Sequence, residues 1–137
     1  MKHSLDQTLV DAAIALAVRR YPRGEALVAA LRTSSGDILT SVFTEARVDA
    51  ASLCAETGAI CEAHKLAETV VASVCIYRES ENHSFRVLPA CGICQERLAF
   101  WGLGVEIAVP RNEEGGDIWQ SKSLQELRPF YWGASAG

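Results

Sequence analysis

Two short stretches, Cys54-Ala55-Glu56 and Cys91-Gly92-Ile93-Cys94, organise the expected fold of this sequence. Together they provide three cysteine thiolates and one carboxylate. Three protein ligands leave the fourth corner of a zinc tetrahedron open for water, which is the arrangement of a catalytic rather than a structural zinc site. Because Glu56 follows Cys54 by two residues, its carboxylate can reach that water without binding the metal. The stretches therefore predict a zinc centre with Cys54, Cys91 and Cys94 as ligands and Glu56 as the catalytic group.

The predicted helices are arranged around these stretches. Residues 5–20 have apolar side chains at helical spacing, and Ser4 with Gln7 matches a capping box at their start. Further helices are expected to begin at Cys54 and at Cys91. Three thiolates around Zn²⁺ leave a net charge of about −1, and two helix N-termini, each equivalent to roughly half a positive charge, would offset it. A helix N-terminus also lowers the pKa of a thiol, which favours the thiolate that binds metal.

Strands are predicted where short apolar or β-branched runs are bounded by turn residues. The first two flank the turn Ser34-Ser35-Gly36-Asp37 and form a hairpin, and a turn-rich loop is expected over residues 112–117. The alternation of helices and strands predicts an α/β fold, a three-layer α/β/α sandwich with a mixed five-stranded sheet. The length fits a single domain over residues 1–137. The five predicted strands cover residues 26–31, 38–43, 70–77, 85–88 and 105–109.

The composition excludes several classes of partner. Thirteen Lys and Arg against 17 Asp and Glu give a net charge of −4, so no nucleic-acid partner is expected. No apolar run approaches the ~20 residues of a membrane span, so no membrane partner is expected either. Asp6 and Asp11 interrupt the N-terminal apolar segment, which does not fit a signal peptide. We therefore expect a cytoplasmic protein, in which the five cysteines are metal ligands, catalytic groups or core thiols rather than disulfides.

Another interpretation of the second stretch belongs to a different class of protein. A Cys-Gly-x-Cys string that follows a strand and opens a helix also describes a thioredoxin-like redox pair, with Cys91 as the attacking and Cys94 as the resolving thiol. The helix and hairpin at the start of the chain do not match a compact βαβ unit. This alternative also leaves Cys54-Ala55-Glu56 unexplained.

A non-catalytic zinc site is the remaining alternative, and it requires a fourth protein ligand. His64 lies roughly 15 Å from Cys54 along the predicted helix, which is too far to share the metal. Neither His3 nor His83 is excluded in this way, because their segments have no clear predicted geometry.

The two stretches resemble the zinc motifs of the cytidine deaminase superfamily, in particular the small homotetrameric cytidine deaminases and the blasticidin S deaminases. The resemblance covers nearly the whole chain, from the first predicted helix to the Glu126-Leu127-Arg128-Pro129 segment. It implies one Zn²⁺ per subunit, bound by Cys54, Cys91 and Cys94, with Glu56 as the proton shuttle. It also implies a homotetramer, or a homodimer, that acts on a small nucleoside-like substrate.

The same resemblance assigns substrate contacts. The backbone N–H of Ala55 would contact the pyrimidine carbonyl oxygen. Phe43-Thr44-Glu45-Ala46 falls where cytidine deaminases have an Asn-x-Glu-Asn string that holds the ribose. Glu45 matches its Glu, whereas Phe43 and Ala46 replace both asparagines. Trp132 lies where such enzymes place an aromatic side chain over the base, contributed by a neighbouring chain; simple packing of the C-terminus is the alternative.

Residues beside the motifs differ from those of the small cytidine deaminases. Thr57 stands where an Arg commonly follows the Glu, and Gln95 stands where an Arg often follows the last cysteine. Helix dipoles, or an Arg from elsewhere such as Arg47, would then have to offset the thiolate charge.

The reaction implied by the resemblance is hydrolytic deamination of a 4-aminopyrimidine nucleoside or a cytosine-bearing nucleoside analogue, of the cytidine or blasticidin S class. Zinc hydroxide would attack C4 while Glu56 moves the protons and ammonia leaves. Loss of the asparagine hydrogen bonds at Phe43 and Ala46 would relax or redirect selectivity for the sugar. The sequence therefore predicts the reaction and leaves the substrate open.

Overall fold

The structure, a computed structural model, describes residues 4–111 and 118–135. His3 and the predicted loop over residues 112–117 lie outside the described residues. The helices are α1 (Gln7–Arg20), α2 (Thr57–Lys65), α3 (Gly92–Leu98) and α4 (Leu124–Leu127), and short 3-10 helices cover Asp49–Ala51, Ala99–Trp101 and Trp132–Ser135. The strands are β1 (Ala26–Thr33), β2 (Ile38–Val42), β3 (Val70–Arg78), β4 (Arg86–Leu88), β5 (Glu106–Pro110) and β6 (Trp119–Ser123).

The strands form one mixed sheet in the order β2-β1-β3-β5-β6, and β4 pairs with β3 outside this order. The pair of β3 and β5 is parallel, whereas the other described pairs are antiparallel. β5 pairs with Ala72 and Ser73 of β3, and β4 pairs with the stretch from Cys75 to Tyr77. Because β4 runs antiparallel to β3, it returns the chain from Tyr77 towards Cys75, and the Cys91 stretch follows directly.

The sheet has six strands, so the predicted count of five was wrong, although each of the five predicted strands is present. The additional strand, β6, is polar in sequence and half-buried throughout, and it pairs antiparallel with β5 at the edge of the sheet. An edge strand with one neighbour does not need the apolar pattern that identifies a buried strand. That pattern is absent from β6, which explains why the sequence did not predict it.

Helices cover both faces of the sheet, which confirms the three-layer arrangement. Along β1, successive side chains point to opposite faces. Val28 and Ala30 pack in a cluster with Leu9, Ala13 and other residues of α1. Ala29 and Leu31 pack in a second cluster that contains residues of α2 and α3. None of the described helices is both long and apolar enough to cross a membrane.

The helix starts differ from the predictions by a few residues. Asp6, not Ser4, caps α1, because its Oδ1 accepts a hydrogen bond of 3.1 Å from the Leu9 N–H. α2 begins at Thr57, so that Cys54-Ala55-Glu56 forms the turn before the helix rather than its first residues. Cys91 is the N-cap of α3.

Candidate metal centre

The structure brings the three predicted zinc ligands together. The Sγ atoms of Cys54, Cys91 and Cys94 all lie within 4.8 Å of one another, and those of Cys54 and Cys91 are 3.3 Å apart. This distance is far longer than a disulfide bond of about 2.05 Å. It is close to the separation of about 3.8 Å between two sulfurs of a tetrahedral zinc site with Zn–S bonds of about 2.3 Å. Three soft thiol donors in this geometry fit a zinc ion.

Two helix starts on the same face of the sheet create this cluster. Cys54 precedes α2 by one turn, and its neighbour Leu53 is held in place by a two-hydrogen-bond bridge to Thr44. Cys91 caps α3, and Cys94 lies in the first turn of that helix. Cys94 is fully buried, whereas Cys91 is exposed and Cys54 half-buried. The cluster therefore has one side in the core and one side open to solvent, as a site for a small-molecule reaction requires.

The three thiols differ in how readily they ionise. Burial raises the pKa of Cys54, and its hydrogen bond with Cys91 raises it further. Burial also disfavours ionisation of Cys91, but hydrogen bonds from the backbone N–H groups of Cys94 and Ile93 and from the Cys54 thiol outweigh it and lower the pKa of Cys91. Burial, followed by the charge of Glu56, raises the pKa of Cys94 strongly. Without a cation, Cys91 is thus the readiest thiolate of the three.

The predicted catalytic carboxylate is buried beside the sulfurs. Glu56 is 3% exposed and occupies the N-cap position of α2, but its side chain makes no capping hydrogen bond there. Its carboxylate acts on the Cys94 thiol through charge and a hydrogen bond. A buried carboxylate that is not used for helix capping and faces a metal-binding cluster is suited to proton transfer at that cluster.

Cys75 is a neighbour of this carboxylate that the sequence did not reveal. The sequence indicates a core thiol in a buried strand, and Cys75 is indeed buried in β3. Burial raises its pKa well above the usual range, and the charge of Glu56 and a hydrogen bond to it add to the shift. The thiol therefore stays protonated and faces Glu56 from the sheet. No local motif marks Cys75, because the contact depends on the tertiary fold.

Thr57 and Gln95, the two residues that stand where the resemblance implies arginines, each make one polar contact. Arg97, from α3, donates a hydrogen bond of 2.9 Å to Thr57 Oγ1 at the first residue of α2. Gln95 Nε2 donates one of 2.8 Å to the Ala90 carbonyl oxygen, just before Cys91. The guanidinium placed beside the start of α2 thus belongs to Arg97, whereas Arg47 is exposed in the segment between β2 and α2.

The residues assigned to substrate binding fall in three places. Phe43 and Glu45 line one cavity of about 500 Å³, together with Arg20, Tyr21 and Glu25. Ala55 is buried between Cys54 and Glu56 in the cluster itself. Trp132 lies in the C-terminal 3-10 helix, where its side chain is 72% exposed and packs near Tyr131 at a ring distance of 5.9 Å.

Comparison with known proteins identifies the family. No family model matches the sequence. Blasticidin-S deaminase of Bacillus cereus is 31% identical over 106 residues, covering 74% of this chain and 73% of the relative. The crystal structure of the cytidine deaminase from Bacillus anthracis superposes with a TM-score of 0.87 at 41% identity, over 95% of this chain and 91% of that one. The chain belongs to the cytidine deaminase superfamily.

Other cytidine deaminases share the fold at lower identity. The enzyme from Mycobacterium tuberculosis has a TM-score of 0.70 at 25% identity, over 93% of this chain and 96% of that one. The predicted family and α/β fold are thereby confirmed, and a deaminase is supported as the kind of enzyme. A thioredoxin-like redox protein is not supported, because the match to deaminases covers the whole fold and not only the segment around Cys91 and Cys94.

Proposed function

We propose that this protein catalyses the zinc-dependent hydrolytic deamination of a cytosine-bearing nucleoside or nucleoside analogue. One observation carries the proposal: the carboxylate of Glu56 is buried next to a cluster of three cysteine sulfurs within 4.8 Å of one another. The three thiols are soft donors that suit zinc, and they leave a fourth coordination position free. Deaminase relatives with the same fold support the reaction class.

Cys54, Cys91 and Cys94 would hold the ion. When bound, zinc supplies an activated water at neutral pH by lowering the pKa of that water to about 7. Glu56 accepts a proton from the attacking water and delivers it to the ring nitrogen next to C4, then helps to protonate the departing amine. The water oxygen forms a C–O bond at C4, and its second proton passes to the exocyclic amino group. The bond between C4 and that nitrogen then breaks, so that ammonia leaves and a carbonyl group remains at C4. The burial of Glu56 keeps bulk water from competing for its protons.

The remaining substrate contacts are part of the proposal. The Ala55 N–H would donate to the pyrimidine carbonyl oxygen, as the family resemblance implies. Phe43 and Glu45, which line one cavity together, would receive the sugar or its replacement. Phe43 offers no hydrogen bond to a ribose hydroxyl, so selectivity for plain ribose should be weak. The relationship to a Blasticidin-S deaminase makes an altered sugar a reasonable substrate feature.

Assembly and cellular location are further predictions. We expect a homotetramer, or a homodimer, in which Trp132 stacks on the base in a neighbouring subunit. The high exposure of Phe130 (98%) and of Trp132 (72%) supports a role for this segment between subunits. A cytoplasmic location and a single deaminase domain over residues 1–137 remain predictions from the sequence.

The proposal is tested by zinc analysis together with a substrate panel. Purified protein should contain near-stoichiometric zinc and should release ammonia from at least one of cytidine, deoxycytidine and blasticidin S, with cytosine and aminopurines as comparisons. Glu56→Gln should lower turnover by about 10²–10⁴-fold while keeping zinc, because it removes a proton shuttle but no ligand. Glu62→Gln, an exposed change on α2, is the matched control.

Two results would contradict the proposed function. Near-wild-type activity of Glu56→Gln would exclude that residue as the shuttle. Metal-free protein with a reversible Cys91–Cys94 disulfide and no ammonia release would support the redox alternative instead.

A further inference from the structure

Ser41 connects β2 to the turn that carries Cys54 and Glu56. Its Oγ donates a hydrogen bond to the Ala55 carbonyl oxygen and accepts one of 2.9 Å from the Ala59 N–H. One hydroxyl therefore satisfies a carbonyl group just before α2 and an amide in the first turn of that helix. A serine hydroxyl is suited to this position, since it can donate one hydrogen bond and accept another at the same time.

These hydrogen bonds replace the usual N-cap of α2. An N-cap side chain normally accepts a hydrogen bond from the second or third N–H of its helix. Glu56 holds the N-cap position, but its side chain makes no such bond. The N–H of Ala59, the third residue of α2, is instead bonded to Ser41. Capping from β2 thus leaves the Glu56 carboxylate available beside Cys94.

The bond to Ala55 also fixes the backbone on the N-terminal side of Glu56. The Ala55 carbonyl and the Glu56 N–H belong to one planar peptide unit, so holding the oxygen holds the plane. That plane sets the direction in which the Glu56 side chain leaves the backbone. Ala55 itself is 2% exposed, so water cannot replace Ser41 as the donor without a rearrangement.

Gly58 leaves the space that Ser41 occupies. A Cβ atom added at Gly58 would lie 2.8 Å from the Ser41 Cβ, a distance that real Cβ contacts essentially never show. The backbone of α2 therefore approaches β2 closely only because residue 58 is glycine. The hydroxyl of residue 41 and the missing side chain of residue 58 form a matched pair.

We propose that Ser41 is a positioning residue for Glu56, an inference that rests on the proposed deamination. By capping α2 and holding the Ala55 peptide, Ser41 aligns the Glu56 carboxylate without touching substrate. A displacement of about 1 Å at a reacting group can cost about 100-fold in rate. Ser41→Ala should accordingly lower kcat by about 10- to 100-fold, with KM changed less than about threefold and zinc content unchanged.

Ser123→Ala is the matched control, because Ser123 also caps a helix N-terminus with its hydroxyl, in α4. Both variants should lower the melting temperature, but only Ser41→Ala should lower kcat. Equal kcat values for Ser41→Ala and wild type would overturn the inference.

Moving the side chain from position 41 to position 58 distinguishes the effect of the Ser41 hydroxyl from the effect of packing. Gly58→Ala should lower both kcat and the melting temperature, because the new methyl group displaces Ser41. Adding Ser41→Gly to Gly58→Ala should relieve the clash and raise the melting temperature, yet kcat should stay low without the hydroxyl. Full recovery of kcat in this double variant would show that packing alone positions Glu56 and would overturn the inference.

Amide hydrogen exchange supplies a readout that needs no activity. The Ala59 N–H should exchange at least about tenfold faster in Ser41→Ala than in wild type, because the hydrogen bond that protects it is lost. Unchanged exchange would contradict capping by Ser41. If wild-type protein released no ammonia from any substrate, the proposed function would fail, while this exchange measurement would still decide whether Ser41 holds the turn.

Discussion

Arg97 donates a hydrogen bond of 2.9 Å to Thr57 Oγ1, which links the last turn of α3 to the first residue of α2. α3 also carries Cys94, and Thr57 directly follows Glu56. The contact therefore joins the two segments that hold the sulfur cluster. It places a permanent positive charge beside Thr57, the residue that follows Glu56.

Removing this guanidinium is expected to weaken zinc binding. Arg97→Gln should lower zinc affinity by about 10-fold, the low end of the range for groups that bond metal ligands directly, because Arg97 joins the two ligand-bearing segments without bonding a ligand. The zinc affinity of Arg97→Lys should lie between those of wild type and Arg97→Gln, because lysine keeps the charge but loses the planar donor geometry. Competition with a chromogenic chelator measures the affinity. Arg86→Gln, an exposed change in β4, is the control, and an equal loss in that variant would contradict a specific role for Arg97.

The second prediction concerns metal-dependent stability. Zinc at about 100 times its dissociation constant should stabilise the folded state by about 2.7 kcal/mol, which corresponds to a rise of roughly 10 °C in Tm. Cys94→Ser should abolish this rise, because it replaces the buried thiol of the cluster. Cys61→Ser should keep it, since Cys61 is exposed on α2 and outside the cluster. A zinc-induced shift of equal size in both variants would argue against the assigned ligands.

The third prediction concerns the sugar end of the substrate. Glu45→Gln should raise KM several-fold with little change in kcat, because Glu45 lines a cavity and is not near the reacting atoms in the proposed mechanism. Steady-state kinetics on the best substrate of the panel will test it, with Glu62→Gln as control. A large fall in kcat at constant KM would contradict this prediction and would indicate that Glu45 takes part in proton transfer.

The fourth prediction is a pH dependence of stability. A hydrogen bond from Arg32 lowers the pKa of Asp6 below its ordinary value, and the Leu9 N–H contributes to the shift. The stabilisation is present above the unfolded-state pKa of about 4 and is lost as pH falls through the lower folded-state value. The Tm advantage of wild type over Asp6→Asn should therefore be constant above about pH 5 and should shrink as pH falls below about 4.

Asp6→Ala separates the cap of α1 from the charge. This change also removes the acceptor for the Leu9 N–H, at an expected cost of about 1 kcal/mol at neutral pH. Asp6→Asn should cost less, because asparagine caps a helix well. Since about half of the Asp6 side chain is exposed, the charge contribution should decrease in high salt. A Tm difference that did not depend on pH would contradict the ion-pair contribution.

The sequence predicted those parts of the protein whose structure is determined by residues close together in the chain. Cys91-Gly92-Ile93-Cys94 defines its own turn, and apolar runs define the buried strands. Predictions failed where the pattern was weak or the cause was distant. β6 lies at an edge of the sheet and is polar. α1 begins later than expected because Asp6, which also pairs with Arg32, is the N-cap instead of Ser4.

The supporting residues of the site could not be predicted from the sequence. Ser41, Cys75 and Arg97 carry no motif, and each reaches the site through a contact between separate elements. A serine in a half-buried strand or an arginine on a helix surface has many possible roles. Only the tertiary structure selects one of them.

Cys54 and Cys91 contact each other across 37 residues of chain, and that separation gives the metal centre a place in the folding process. In the unfolded chain their encounter costs loop-closure entropy, and the pairing of β1 with β3, which joins Thr33 to Val70, closes a loop of the same length, so the folded sheet already holds the two cysteines close together. A zinc ion that bound afterwards would cross-link the two segments, so that metal binding would be a late step of folding. Newly made chains would then pass through a folded, metal-free stage whose lifetime depends on the zinc supply of the cell.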